Sequence, residues 1–455
     1  MAGGIWTSQN KRMPGVYINT KSNSGSNTSV GERGIVAIAE PLSFGPSGII
    51  QTIIPGEDIK PYIGYDITSD QALFLREMMK GSDVTSGPSK IFLYRPVGSG
   101  GAKASATVGD LVVSALYDGT RGNDIAVSVQ GDPDSEGIYT VSTMVDGYIV
   151  DDQAVGGIDA LTDNAWVTFK KSGSGNSLTG TAGATLTGGK NPAVSATDYS
   201  DFLKKLEPCR FDILAYDGTE STVIQAMAAF VKRVSNNVGQ KCQVVMAGDV
   251  AANCNSELVI AVENGVELDD GSRLTAQQAV WWLAGAEAGA LYNKSLTYAQ
   301  YPNAVEASPK LSSTQAEAAA AAGKICFIGS AGKIRVCTDI NTLSSFTVEK
   351  GQEFSKNRVM RVLMQFNNDT FEHFSDFFIG KVDNNDAGRN LLKGWIVGYL
   401  NEMQANSGIK NFTADDVSVT DGNSIDSVVI NVSIQPVDSI EKIYMTIMVS
   451  VNTAV

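Results

Sequence analysis

Apolar positions change texture several times along the chain, and each texture predicts a different kind of element. In residues 35–100 they come as short continuous runs. Gly34-Ile35-Val36-Ala37-Ile38-Ala39 and Ile91-Phe92-Leu93-Tyr94 read as strands buried on both faces. Between them Ala72, Leu73, Leu75, Met78 and Met79 recur at helical spacing, with Ser69 as N-cap and Gly81 as stop. Strand, helix, strand predicts a layered α/β core. In residues 101–195 the helical period vanishes. Strands are expected at Leu111–Tyr117, Ile125–Gln130, Ile138–Val145 and Trp166–Lys171, with Asp118-Gly119 and Asp146-Gly147 as turns. Ser172 to Lys190 holds six glycines and little apolar content, which predicts a mobile loop. The block reads as an all-β module inserted into the core.

The α/β pattern resumes in residues 196–345. Phe211–Tyr216 and Cys242–Ala247 read as strands, and Glu220–Val234 and Ala276–Tyr292 as helices, the latter carrying Trp281 and Trp282. Ala316–Ala322 is helical by propensity. Cys326–Ile328 and Ile334–Cys337 predict a hairpin around residues 329–333.

Residues 346–455 predict a mostly helical stretch from Ser355 to Phe378. A second helix is marked by Leu391, Leu392, Trp395, Ile396, Tyr399, Leu400 and Met403, with Asp386 as N-cap and Gly408 near its end. A hairpin is expected to follow. Val428, Ile430, Val432 and Ile434 alternate on one strand, residues 436–439 turn, and Ile443, Met445, Ile447, Val449 and Val451 alternate on the other. At the opposite terminus, one short apolar run, Val16-Tyr17-Ile18, interrupts a polar segment rich in Ser, Asn and Gly. A lone strand cannot satisfy its own backbone, so this segment reads either as a frayed end or as an arm that adds a strand to something else. Ser22 to Ser29 reads as its hinge. The expected fold class is α/β (α+β) multidomain. It comprises an N-terminal arm (1–24), a discontinuous α/β domain (25–101 plus 196–345), an inserted β domain (102–195), and a C-terminal α+β assembly domain (346–455) ending in an extended strand.

Composition narrows the function. A 455-residue chain with 43% apolar and 18% charged residues can bury a large core. The net charge of −14 argues against nucleic-acid binding and against adsorption to anionic lipid. Five cysteines, Cys209, Cys242, Cys254, Cys326 and Cys337, are odd in number and contain no CxxC, so neither a disulfide framework nor a thiolate zinc site is expected; they read as buried thiols in a reducing compartment. The N-terminus lacks a signal peptide's apolar stretch, and the longest membrane-like run, Ala279 to Tyr292, is 14 residues long and contains Glu287. Synthesis in the bacterial cytoplasm without membrane insertion is expected.

Catalytic chemistry is sparse. The single histidine, His373, lies between Phe371 and Phe374 and reads as packed. No GxSxG elbow exists. Gly98–Lys103, Gly183–Lys190 and Gly329–Lys333 lack the spacing of a phosphate loop. Asp132, Asp134, Glu136 and Gly137 imitate half a calcium loop, but its twelfth position is Thr143. Asp269-Asp270 and Asp415-Asp416 read as solvated loop ends. No cofactor or metal is expected.

The chain resembles the contractile tail sheath proteins of phages and phage-like bacteriocins. The resemblance rests on motifs in order along nearly the whole chain. They are Arg12-Met13-Pro14-Gly15-Val16-Tyr17-Ile18, Gly119-Thr120-Arg121-Gly122-Asn123, Asn293-Lys294-Ser295-Leu296-Thr297, Asp339-Ile340-Asn341-Thr342-Leu343 and Lys356-Asn357-Arg358-Val359-Met360-Arg361. Ile379-Gly380-Lys381-Val382 with Asn384-Asn385, and Gln435-Pro436-Val437-Asp438-Ser439-Ile440-Glu441-Lys442-Ile443-Tyr444, complete the series. The resemblance implies a subunit of six-fold rings stacked as a sleeve around an inner tube. Its partners would be further copies of itself, the tail tube protein, and baseplate and terminator proteins. It also implies inter-subunit pairing of strands through Val16, Tyr17, Ile18, Val428, Ile430, Val432, Ile443, Met445, Ile447, Val449 and Val451, and contraction that drives the tube through an envelope. An α/β enzyme or nucleotide-binding protein, and a static surface protein, are the competing readings.

Overall fold

The computed structural model describes residues 2–4, 15–17 and 33–449. Residue contacts group the chain into two bodies, Glu32–Phe371 with Pro436–Val455, and Met1–Gly31 with Glu372–Gln435.

The larger body is built on a seven-stranded sheet in the order Lys324–Ile325, Val259–Val262, Gln243–Ala247, Ile213–Ala215, Ile35–Ala39, Lys90–Tyr94, Ile50–Ile53. All neighbours run parallel except the last, an antiparallel edge strand that the sequence pattern does not reveal. The continuous apolar runs have the physical reason expected of them: both faces are covered. Val36 and Ile38 point into a core shared with Trp281 and Trp282, whereas Ala37 and Ala39 point into a second core with Phe202, Met227, Phe230, Met360 and Met364. The Trp281 helix, Ala276–Gly289, starts at a capping box formed by Thr275 and Gln278 and is buried nearly all round. Its Gly285 lets the helix Leu73–Met79 approach closely, because a Cβ there would lie 1.9 Å from the Met78 carbonyl oxygen.

The inserted module is all-β. A four-stranded sheet (Tyr148–Val155, Tyr139–Val145, Ile125–Gly131, Thr181–Thr185) and a three-stranded sheet (Val167–Lys171, Leu111–Ala115, Ser105–Val108) share one core containing Val113, Val127, Val141 and Val167. The Asp146-Gly147 turn has positive φ at both residues, the requirement of a tight hairpin. The mobile loop expected over residues 172–190 is not found. Thr181–Thr185 pairs antiparallel with Ile125–Gly131, and Leu178 and Leu186 are buried. Small residues hid a strand whose partners are backbone groups rather than apolar side chains.

In the second body, the helix Asp386–Ala405 is capped by Asn385, whose Oδ1 accepts the Gly388 N–H at 2.9 Å, and not by Asp386. The expected C-terminal hairpin is not formed. Val428–Val432 takes Val417–Asp421 as its antiparallel partner, with Ile430 opposite Val419, and residues 437–449 form no strand or helix. At the N-terminus, Gly15–Tyr17 pairs in parallel with the chain's own Ala2–Gly4, Val16 opposite Gly3 and Tyr17 opposite Gly4. Three residues without large side chains gave no signal of that partner. Ile18, Val451 and the hinge expected at Ser22 to Ser29 lie outside the described residues.

Candidate assembly surfaces

Two surfaces follow from groups left without partners. The first is the C-terminal segment of the larger body. Glu441 moors it: Thr297 Oγ1 donates to the Glu441 carboxylate at 2.7 Å, and Lys356 forms an ion pair with its other oxygen. Beyond this point the chain forms neither helix nor strand and is almost bare. Ile443, Met445, Ile447 and Val449 are all at least 75% exposed, and Tyr444 and Met448 project from the other face equally exposed. Six large apolar side chains in solvent, on a backbone with no ladder, form a patch that a folded chain normally covers.

The second surface lies in the smaller body. Among the described residues Val428–Val432 belongs to a two-stranded sheet, so one of its edges carries no neighbour there. Val428 and Ile430 line a cleft of about 340 Å³ with Phe374, Phe378, Val382 and Leu392. The loop before the strand is held by Asn384, which donates to the carbonyls of Ile425 at 2.9 Å and Ser427 at 3.1 Å, and by an ion pair between Arg389 and Asp421. Val432 is half-buried in the same strand.

Motifs far apart in sequence meet at the mooring point. Asp339 accepts the Leu296 N–H at 2.9 Å, and its own N–H donates to Thr297 Oγ1 at 2.9 Å. Arg361 pairs with both Asp339 and Glu287, and donates to the Lys294 carbonyl at 2.7 Å. None of Glu287, Asp339 and Arg361 is more than 1% exposed. Burial, reinforced by Asp339, pushes the Glu287 carboxyl well above its ordinary value. Burial also acts to raise Asp339, but Arg361 and the Leu296 N–H overcome it and hold Asp339 below the usual range. Of the two acids Glu287 is the one pushed toward its neutral form, while Arg361, with Arg33 nearby, offsets the charge that Asp339 keeps. The group is enclosed in packing, not open to a substrate. Sequence periodicity missed Glu287, a lone acid inside an apolar helix; the polar residue at a core position was the available signal.

Arg121, in the Gly119–Asn123 turn, is buried as well. It forms two hydrogen bonds with the Asp146 carboxylate at 2.7 and 2.6 Å, donates to the Gly64 carbonyl at 2.9 Å, and lies 4.3 Å from the Tyr65 ring centre. His373 stacks on Trp395 with ring centres 4.2 Å apart, and burial lowers its pKa. Among the described residues no group of three or more His, Cys, Asp or Glu side chains could hold a metal ion, and no helix is long and apolar enough to cross a membrane.

Three family models match in series: the phage tail sheath protein beta-sandwich domain over residues 99–191, the central domain over 193–342, and the C-terminal domain over 349–450. The chain is 32% identical to the Phage-like element PBSX protein XkdK of Bacillus subtilis, across 99% of this chain and 100% of that protein. It belongs to the phage tail sheath family. Solved structures agree. The sheath tail protein of Desulfitobacterium hafniense superposes with a TM-score of 0.84 at 42% identity, covering 96% of this chain and 100% of that one. The sheath tail protein of Listeria innocua gives 0.76 at 33% identity, covering 92% and 95%. Phage tail sheath proteins are structural components of tail particles, and the mixed α/β multidomain architecture is that of the sheath neighbours.

Proposed function

We propose that this protein is the subunit of a contractile tail sheath, without catalytic activity, that polymerises as stacked six-fold rings around a tail tube through exchange of terminal strands. The observation that carries the reading is the moored, exposed apolar segment from Ile443 to Val449 in a chain that also offers an open strand edge at Val428, Ile430 and Val432. A neighbour's extended segment laid on that edge would satisfy its backbone and cover the edge at once. Val16 and Tyr17, on the N-terminal arm with Ile18, supply the second exchanged strand, and Val451 continues the first. Strand pairs survive rigid-body rotation when the connecting segments are flexible, so a sleeve joined this way can repack from an extended to a contracted state. Contraction would push the tube through a target envelope, with baseplate and terminator proteins bounding the sleeve. In this reading the chain needs no cofactor, is made in the cytoplasm and ends in a phage tail or tail-like particle.

The test is electron microscopy of the purified full chain against two truncations, one lacking residues 1–20 and one ending at Lys442. Sleeves or tubes are expected from the full chain only, with both truncations remaining folded monomers by circular dichroism. Tubes from either truncation would defeat the strand-exchange reading.

A further inference from the structure

The hairpin formed by Phe327–Ser330 and Lys333–Val336 is antiparallel, with Phe327 opposite Val336. One step outward, the Cys337 N–H donates to the Cys326 carbonyl at 2.8 Å. The two cysteines are therefore a directly opposed pair. Hydrogen-bonded residues opposed in this way have Cα atoms about 5.5 Å apart, inside the roughly 4.4–6.8 Å window that a disulfide spans. Opposed side chains leave the same face of the ribbon. Here both lie in one small apolar cluster that includes Ala316, Ala319 and Ile328.

The two sulfurs are not equivalent. Cys326 is buried, whereas Cys337 is half-buried and lines a cleft of about 490 Å³ that also receives Glu441. The mutual influence of the two sulfurs lowers the Cys337 thiol to about 7 and raises Cys326. Burial raises Cys209 and Cys254, and pushes Cys242 up to about 12. One nucleophilic, reachable sulfur thus sits against one resolving sulfur, while the remaining three thiols are deactivated.

We propose that Cys326 and Cys337 form an oxidisable dithiol site, which closes to an intrachain disulfide on exposure to a low-molecular-weight disulfide such as oxidised glutathione. The Cys337 thiolate attacks one sulfur of the reagent, forming a mixed disulfide and expelling one glutathione thiolate. The Cys326 sulfur then attacks Cys337 Sγ and expels the second. Two protein thiols are oxidised, one glutathione disulfide is reduced to two thiols, and the two thiol protons end on the departing glutathiones. Closure replaces an ionisable thiol beside Glu441, whose charge opposes the Cys337 thiolate, with a neutral group. It also staples the hairpin beneath the mooring of the C-terminal segment.

The test uses the unmodified full chain incubated with oxidised glutathione at pH 7.5, blocked with N-ethylmaleimide, digested and mapped by mass spectrometry. Of the five thiols, two should disappear, with a peptide cross-linking Cys326 to Cys337 that dithiothreitol reverses. In a parallel reaction with limiting N-ethylmaleimide, Cys337 should be alkylated about tenfold faster than Cys209 or Cys254. In a Cys326→Ser variant, Cys337 should stop at the glutathione adduct. Retention of all five thiols, a cross-link to another cysteine, or faster loss of Cys209 or Cys254 in the unmodified chain would overturn the assignment.

Discussion

Arg361 Nη2 lies 2.5 Å from the Asp339 carboxylate, and neither side chain reaches solvent. The guanidinium is the cation that makes two buried acids tolerable. Replacing Arg361 with Met leaves the buried Asp339 charge without its guanidinium partner, and breaking a buried pair from one side costs about 3–5 kcal/mol. Guanidinium unfolding followed by tryptophan fluorescence should show that loss. Glu287→Gln keeps a hydrogen-bond donor for Asp339 and should cost only about 1 kcal/mol. Equal effects from the two variants would contradict an upward shift at Glu287 beside a charged Asp339.

The Arg121–Asp146 pair predicts acid sensitivity in the β module. Hydrogen bonding to Arg121 holds the Asp146 carboxyl below its ordinary value. A group depressed in the folded state contributes stability above the unfolded carboxylate pKa of about 3.9, and that contribution is lost as pH falls through the lower folded value. Because the Asp146 side chain is 59% exposed, the contribution should be only about 0.5–1 kcal/mol. The melting temperature of the unmodified protein should exceed that of Asp146→Asn by a constant margin above pH 5, narrowing below pH 4. A pH-independent margin would rule this out.

Glu441→Ala should free the C-terminal segment without unfolding the core. Trypsin cleavage after Lys442 is expected to accelerate about tenfold, while the unfolding midpoint stays within about 0.5 kcal/mol of the parent. An unchanged cleavage rate would mean that Thr297 and Lys356 do not hold this segment in solution.

Ile430→Lys places a charge in the cleft beside Phe374 and Leu392. Circular dichroism should remain that of the folded monomer, and light scattering should show no polymer. Wild-type polymerisation by this variant would remove the cleft from the assembly surface.

Legibility in the sequence followed from what each element is paired with. Strands buried on both faces announced themselves as apolar runs, and Ile35–Ala39 and Lys90–Tyr94 fall within a residue of expectation. Thr181–Thr185 and Ala2–Gly4 did not, because their contribution is backbone pairing by small residues. The C-terminal error has a different cause. Alternation in Ile443–Val449 predicts a strand, but alternation cannot say which chain supplies the partner, and these residues form no strand here. The nearest complementary strand, Val428–Val432, is paired instead with Val417–Asp421. Among the acids and cations, Glu441, Lys356 and Arg361 sat inside motifs noticed for their order, and only three dimensions reveal that they converge with Thr297 and Asp339.

The mooring at Glu441 also sets a length. Between Glu441 and Val449 lie eight links of chain, which reach at most roughly 26 Å at about 3.3 Å per residue. A partner that grips the chain at Val449 can travel within that radius at little energetic cost. Past it, the Glu441 mooring or the grip must give way, so a single carboxylate fixes the stroke that a linkage gripped at Val449 allows.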